Sequence, residues 1–121
     1  MRRGEVYDAS LDPTEGSDQA GLRPVVIVSR NAINNASPVV LAVPCTRFNP
    51  DRRVYPSQVV LRAPEGGLDA DSVALCEQVR ALAKGRLGRR RGELSGAAMS
   101  AVDHALLIAL DLLVERSFPE A

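Results

Sequence analysis

Histidine and cysteine are nearly absent from this 121-residue sequence, and the scarcity of histidine excludes several kinds of catalysis. The one histidine, His104, follows Asp103 in a segment whose apolar pattern predicts a helix, and we expect it on the helix surface. A Cys–His nucleophile pair, a Ser–His–Asp triad near the strands and the two-histidine scheme of some ribonucleases need histidines that the chain lacks. Any catalysis must therefore use arginine, threonine, serine and carboxylates.

The two cysteines, Cys45 and Cys76, do not have the spacing of a metal site and are too few for a disulfide framework. A reducing compartment would keep them as thiols, and we expect both to be buried as small apolar side chains. Glycine-rich loops of the Walker or dinucleotide type are also missing. The sequence therefore predicts a protein with no metal and no cofactor.

Long apolar runs are missing as well. No segment approaches the roughly 18 uninterrupted apolar residues of a membrane helix, and the N-terminal "MRRGEVYD" becomes polar before any signal-like region appears. We therefore expect a soluble, cytoplasmic protein that does not contact a membrane. The length fits one compact domain over residues 1–121.

Positive charge comes almost entirely from arginine, although the net charge is zero, with 15 basic and 15 acidic residues. This balance argues against non-specific coating of DNA. Lys84 is the only lysine, and arginine binds phosphate oxygens better, but codon usage in a GC-rich genome explains the bias equally simply. The densest run, "GRLGRRRGEL" (Gly85–Leu94), could contact phosphates through Arg86, Arg89, Arg90 and Arg91, but a solvated connection is the simpler interpretation.

Short segments rich in valine, isoleucine and leucine and bounded by turn-forming residues predict five strands. No long helical pattern separates them, which favours an antiparallel, partly closed sheet or small barrel over a parallel fold. The predicted strands are Val6–Leu11, Val25–Ser29, Val39–Thr46, Gln58–Leu61 and Ser72–Val79.

One amphipathic helix is predicted at the end of the chain, over Ala97–Glu115. Ser95 is its expected N-cap, and Leu94 and Met99 are placed to form a hydrophobic staple. Apolar residues also occupy the flanks of the helix, so the arc is wider than packing on one sheet face needs. These flanking apolar residues either contact a partner or are buried in the domain's own core.

Arg23 and Thr46 stand at the ends of two predicted strands. The Arg23–Pro24 bond holds Arg23 extended at the start of the second strand, and Thr46 ends the third, in "PCTR". If these strands are antiparallel neighbours, the guanidinium and the hydroxyl face one spot, which suits a phosphate. The backbone of the loop around Ser17 could add donors, whereas Thr46 could also simply end a strand.

Three ordered motifs cover nearly the whole chain: "RGEVYDASLDPTEGSDQAGLRPVVIVS", "AVPCTR" and "DSVALCEQVRAL". With them the chain resembles the MazF/PemK (Kid) family of toxin endoribonucleases of type II toxin–antitoxin systems. The resemblance implies a mainly β (α+β) fold, a small SH3-like antiparallel barrel of the CcdB/PemK type with a C-terminal helix. It also implies a homodimer that an acidic, MazE-like antitoxin neutralises.

The activity implied by the resemblance is sequence-specific, metal-independent cleavage of single-stranded RNA, mRNA in the cell, which inhibits translation and growth. The products carry 2′,3′-cyclic phosphate and 5′-hydroxyl ends. The family's catalytic residues fall on Arg23 and Thr46. Further RNA-binding residues come from the family's motifs and from the loop after Thr46, whose aromatic side chains and arginines suit unpaired bases: Ser17, Asp18, Gln19, Arg47, Phe48, Arg53, Tyr55, Glu77 and Gln78.

The general base stays unassigned. A guanidinium with a pKa above about 12 is a poor base near neutral pH, so Arg23 is expected to act as electrostatic stabiliser and acid. Asp18 could take the proton, but it stands where the family has glutamate, and pairing with Arg23 is its simpler role.

Two rival functions remain open at this stage. The same fold class includes a DNA gyrase poison, a non-catalytic toxin whose activity resides in an aromatic C-terminal tail. This chain ends in "SFPEA" and contains no tryptophan, which disfavours that function. An RNA-binding barrel without catalysis is the other alternative.

Overall fold

The computed structural model describes residues 1–11 and 21–112, which form an antiparallel β-structure with a helix at its end. The strands of this part of the chain are β1 (Glu5–Ser10), β2 (Leu22–Ile27), β3 (Val39–Arg47), β4 (Gln58–Leu61), β5 (Ser72–Leu75), β6 (Arg80–Ala83) and β7 (Leu87–Glu93). The helices are α1 (Asn31–Ala36) and α2 (Gly96–Leu110), and short 3-10 turns span Glu65–Gly67, Cys76–Gln78 and Lys84–Arg86.

The sheet has the order β4-β5-β3-β2-β1-β7, with β6 also paired to β3, and every pairing is antiparallel. The expected fold class, mainly β with a C-terminal helix, is confirmed. Within the described ranges, however, no pairing joins the two edge strands β4 and β7, so the sheet is not closed into a complete barrel.

Side chains alternate between two apolar layers along the central strands. Val6, Val26 and Val43 face one layer, which α2 covers with the buried Val102 and Ala105. On the other face lies a second layer of buried residues, Ala9, Val25, Ile27, Val40, Ala42 and Leu82. Burial of each valine or isoleucine contributes about 1.5–3 kcal/mol, so the two layers fix the register of β1, β2 and β3.

All five predicted strands overlap observed strands, but the predicted bounds match in only one of them. Gln58–Leu61 is confirmed as a strand, and β3 extends the predicted strand by one residue. The prediction of one continuous strand over Ser72–Val79 is wrong, because the 3-10 turn Cys76–Gln78 interrupts it. After the turn the chain continues as β6, which pairs with the same edge of β3 as β5 does. The turn buries Cys76 and leaves Glu77 and Gln78 exposed.

The interpretation of residues 85–94 as a solvated connection is also wrong. Most of this run is β7, which pairs with β1 at the edge of the sheet. Its arginines bind carboxylates on β1: Arg90 Nε lies 2.9 Å from Glu5 Oε2, and Arg91 Nε lies 2.8 Å from Asp8 Oδ1. Because ion pairs replace apolar contacts here, the strand lacks the pattern by which strands are recognised.

The buried carboxylate Glu5 anchors this arrangement. Burial favours its neutral form, but the Arg2 amide, Arg90 and Tyr7 donate hydrogen bonds that together outweigh burial and lower the pKa of Glu5. An ionised Glu5 therefore holds β7 against β1 at neutral pH.

The turn Glu65–Gly67 packs against β7 and needs glycine there. Gly67 has a φ of +75°, and a Cβ on it would overlap the carbonyl oxygen of Arg91 and lie 2.6 Å from the carbonyl carbon. The turn also reaches α2, since Glu65 accepts hydrogen bonds from the amide and hydroxyl of Ser95.

Helix α2 begins as expected. Ser95 is the N-cap and accepts a hydrogen bond from the Ala98 amide at 3.1 Å, and Leu94 and Met99 lie in one apolar cluster. The helix ends at Leu110, where Asp111 adopts a left-handed conformation, and not at Glu115 as predicted. Residues 113–115 lie outside the described part.

His104 is exposed, as expected. No helix among the described residues is long and apolar enough to cross a membrane.

Cys45 and Cys76 are buried, as predicted, and neither forms a disulfide. Burial raises the pKa of each thiol to about 12. Both therefore stay protonated at physiological pH and act as apolar packing groups.

Candidate active site

Arg23 and Thr46 are brought together by the pairing of β2 with β3. In that ladder Val25 faces Pro44 and Val26 faces Val43, so the start of β2 lies beside the end of β3. The Arg23 Nη1 donates a hydrogen bond of 3.4 Å to Thr46 Oγ1 on the exposed rim of the sheet. The inner part of both strands is buried, which holds the two side chains on rigid backbone.

Arg23 and Thr46 both line a groove of about 570 Å³. Five of its lining side chains are arginines, namely Arg23, Arg47, Arg52, Arg53 and Arg80. Glu77 is the one carboxylate among the described residues that line it. A groove of this charge suits a polyanion, and with an aromatic side chain on its lining it suits a single strand with exposed bases.

Glu77 is held in a fixed orientation on the groove wall. Its Oε2 accepts a hydrogen bond from Gln58 Nε2 at 2.8 Å, and its Oε1 accepts one from Ser57 Oγ at 3.3 Å. Gln58 in turn accepts a hydrogen bond from the Tyr55 amide at 3.2 Å. The loop after Thr46 is thus connected at its far end to the Cys76–Gln78 turn.

The two aromatic side chains of this loop lie under arginines. The guanidinium of Arg53 lies 5.0 Å from the centre of the Tyr55 ring, and that of Arg62 lies 4.8 Å from the centre of the Phe48 ring. Tyr55 lines the groove, whereas Phe48 lines a neighbouring depression that Thr46 and Arg47 also border. Each aromatic face is therefore oriented before any ligand arrives.

Most of the predicted site residues surround one groove. The structure gathers Arg23, Thr46, Arg47, Arg53, Tyr55, Glu77 and Gln78 on its lining, with Phe48 beside it. Ser17, Asp18 and Gln19 lie outside the described residues. The 1–11 and 21–112 ranges contain no cluster of three histidine, cysteine or acidic side chains able to hold a metal ion.

The loop predicted to contact RNA also brings Asn49 and Arg52 to the groove. Sequence reasoning missed Gln58 and Arg80, which line the groove as well. Arg80 could have been found, because it follows Gln78 by two residues in the quoted third motif. Gln58 carried no such signal, since its place depends on contact with Glu77, a residue distant in sequence.

Similarity to known proteins covers almost the whole chain. Residues 2–110 match the family of PemK-like, MazF-like toxins of type II toxin–antitoxin systems. The Endoribonuclease MazF of Staphylococcus saprophyticus is 42% identical over 118 residues, which is 97% of each chain.

Two solved structures share the fold. An endoribonuclease in complex with its cognate antitoxin, from a mycobacterial species, is 32% identical with a TM-score of 0.76, over 93% of this chain and 97% of that one. MazF of Deinococcus radiodurans is 25% identical with a TM-score of 0.73, over 92% of this chain and 96% of that one. The chain that carries Arg23 and Thr46 on this groove therefore belongs to the family of PemK-like, MazF-like toxins of type II toxin–antitoxin systems.

Proposed function

We propose that this protein is an endoribonuclease toxin that cuts single-stranded RNA, mRNA in the cytoplasm, without a metal ion. The observation that carries the proposal is the Arg23–Thr46 pair on the lining of an arginine-rich groove. A relative of 42% identity bears the name of that activity. An arginine and a hydroxyl are donors suited to phosphate oxygens, which is the chemistry that RNA cleavage needs.

The proposed reaction is the one that the family resemblance implies. The 2′-oxygen of the ribose attacks the adjacent phosphorus, the bond to the 5′-oxygen breaks, and a 2′,3′-cyclic phosphate and a 5′-hydroxyl result. The 2′-hydroxyl proton leaves to a base, and the 5′-oxygen gains a proton. Negative charge builds up on the phosphorane oxygens, where Arg23 and Thr46 donate hydrogen bonds and lower the barrier. DNA is not a substrate, because it lacks the attacking hydroxyl.

Arg23 serves as electrostatic stabiliser and as acid toward the leaving 5′-oxygen. A guanidinium is protonated near neutral pH, so it is unsuited to accept the 2′-hydroxyl proton. The general base is not assigned. Among the carboxylates of the first motif, Asp18 is the nearest to Arg23 in sequence.

Sequence preference is assigned to the loop 47–57 and the Cys76–Gln78 turn. Stacking of an unpaired base on an aromatic face contributes about 1–3 kcal/mol, and Tyr55 offers such a face. The carboxylate of Glu77 accepts hydrogen bonds from base amino groups, and Arg53 donates them. These residues border the groove beside Thr46, so they reach the nucleotides that flank the cut.

The central test is incubation of the purified protein with a long unstructured RNA in EDTA. We expect discrete fragments with 2′,3′-cyclic phosphate and 5′-hydroxyl ends. Fragments that form only after a divalent metal ion is added would contradict the metal-free mechanism. Binding to intact RNA would favour the non-catalytic barrel, and inhibition of gyrase without RNA cleavage would favour the poison.

We also propose that the protein is a homodimer that an acidic antitoxin neutralises. In α2 the side chains of Leu106, Leu107 and Ile108 stay half-buried, and Leu110 is 53% exposed, so apolar surface remains beyond the domain's own core. An acidic peptide would be complementary to the arginine-lined groove. One of the structural relatives was solved with its cognate antitoxin.

Sedimentation at micromolar concentration is expected to show a dimer. Leu110→Glu is expected to shift the equilibrium toward monomer, because it places a charge on the apolar surface. Exchange of the exposed His104 on the same helix for glutamine is the matched control and should leave the dimer unchanged. A wild-type monomer would contradict the proposal.

A further inference from the structure

A second groove meets the first at Arg23 and Thr46. Its volume is about 360 Å³, and its lining includes Pro24, Arg47, Asp69 and Arg91. The two grooves share Arg23, Cys45, Thr46 and Arg47, so they join at the rim that carries the pair. Asp69 and Arg91 line the second groove only.

Arg91 lines this second groove and forms two ion pairs, and its side chain is only 14% exposed. Its Nε donates to Asp8 Oδ1 at 2.8 Å, and its Nη1 donates to Asp69 Oδ2 at 2.8 Å. Asp8 lies on β1 and is 26% exposed, so it fixes one side of the guanidinium against the sheet. The planar fork of Arg91 is thereby oriented toward the groove.

The second partner, Asp69, is of a different kind. Its side chain is 80% exposed, it lies in the loop before β5, and it lines the second groove. An ion pair with one solvent-exposed partner contributes little to stability, so displacement of Asp69 from Arg91 costs little. Arginine binds phosphate oxygens in the same geometry as carboxylate oxygens. A phosphate can therefore take the place of Asp69 on Arg91 without rearrangement of the sheet.

We propose that Arg91 and Arg47 form a second phosphate subsite, which binds a phosphate of the RNA strand other than the one that is cut, and that Asp69 occupies this subsite until RNA displaces it. This inference rests on the proposed function. The RNA strand then crosses the rim, with the scissile phosphate at Arg23 and Thr46 and the neighbouring chain in the second groove. Asp69 competes with RNA and weakens its binding.

The test uses a uniformly 2′-O-methylated single-stranded RNA, which lacks the attacking hydroxyl and so reports binding alone. Asp69→Asn is expected to bind it about two- to fivefold more tightly, the range of an exposed ion pair. Glu93→Gln is the matched control, because it removes the same charge from β7 at a residue that lines neither groove. It should leave the affinity nearly unchanged.

Arg91→Gln is expected to weaken binding and to reduce the slope of log Kd against log salt by about 0.7, the contribution of one phosphate contact on a single strand. Asp69→Asn should then have no effect in the Arg91→Gln background. Asp8 keeps a cationic neighbour in this variant, since Arg89 Nε lies 4.0 Å from its Oδ2. Thermal unfolding checks that Arg91→Gln folds; if it does not, the comparison of Asp69→Asn with Glu93→Gln decides.

Equal affinities of Asp69→Asn and Glu93→Gln would overturn the subsite, as would an effect of Asp69→Asn that persists without Arg91. A wild-type protein that cuts RNA but shows either of these results refutes the subsite and leaves the proposed function intact. A wild-type protein that neither cuts unmodified RNA nor binds the methylated strand refutes both.

Discussion

Replacement of Arg23 or Thr46 by alanine is expected to lower the rate of RNA cleavage by at least about 10²- to 10³-fold, the usual cost of one donor to a developing oxyanion. Both side chains lie on the exposed rim and outside the apolar layers, so the variants should unfold at the wild-type temperature. Initial rates on a long RNA in EDTA, with circular dichroism for the fold, measure the two effects separately.

Conservative variants sharpen this test. Thr46→Ser keeps the hydroxyl and should retain most of the cleavage rate. Arg23→Lys keeps the charge but not the planar fork, so its cleavage rate should lie between those of the wild type and Arg23→Ala. Arg2→Ala removes an exposed arginine that lines neither groove and should cut at the wild-type rate. Wild-type cleavage by Arg23→Ala or by Thr46→Ala would remove the proposed catalytic pair.

Gly67→Ala is expected to destabilise the protein by at least about 3 kcal/mol, combining the cost of a positive φ with that of overpacking. The new Cβ would lie 2.6 Å from the Arg91 carbonyl carbon, and both partners are backbone, so neither can rotate away. Against a typical total of about 5–15 kcal/mol, a loss of this size strongly shifts the unfolding midpoint in urea.

Gly85→Ala provides the matched control, since its added Cβ meets no atom within 4 Å. Its free energy of unfolding should stay within about 0.5 kcal/mol of the wild-type value, as for most surface substitutions. Equal midpoints for Gly67→Ala and wild type would show that the turn Glu65–Gly67 does not require its observed conformation.

The parts of the fold that were predictable are those in which local pattern and tertiary burial agree. β3 and β4 have apolar residues bounded by turn formers, and the pairing of β2 with β3 puts Arg23 beside Thr46. β7 was missed because its residues are held by charge, with Arg90 on Glu5 and Arg91 on Asp8, and no periodicity in one strand reveals partners on another.

The candidate site divides in the same way. Arg23, Thr46 and Glu77 come from motifs whose residues are close together in sequence or at strand ends. The contact of Arg91 with Asp69 joins β7 to the loop before β5, close to where the turn Glu65–Gly67 packs against β7. Contacts that depend on such packing between distant segments are not encoded in any local pattern of residue types.

The interruption of β5 and β6 by the Cys76–Gln78 turn has a consequence for how such a toxin diversifies. Pairing with β3 stops at Ala74 and restarts at Arg80, so no ladder bond to β3 depends on the side chains of Glu77 and Gln78. Cys76 is buried and constrained, whereas its two exposed neighbours face the groove. Mutation can therefore replace these two residues without loss of any pairing with β3. Under the proposed function, a lineage can then acquire a new cleavage motif while the sheet that holds the proposed catalytic pair is inherited unchanged.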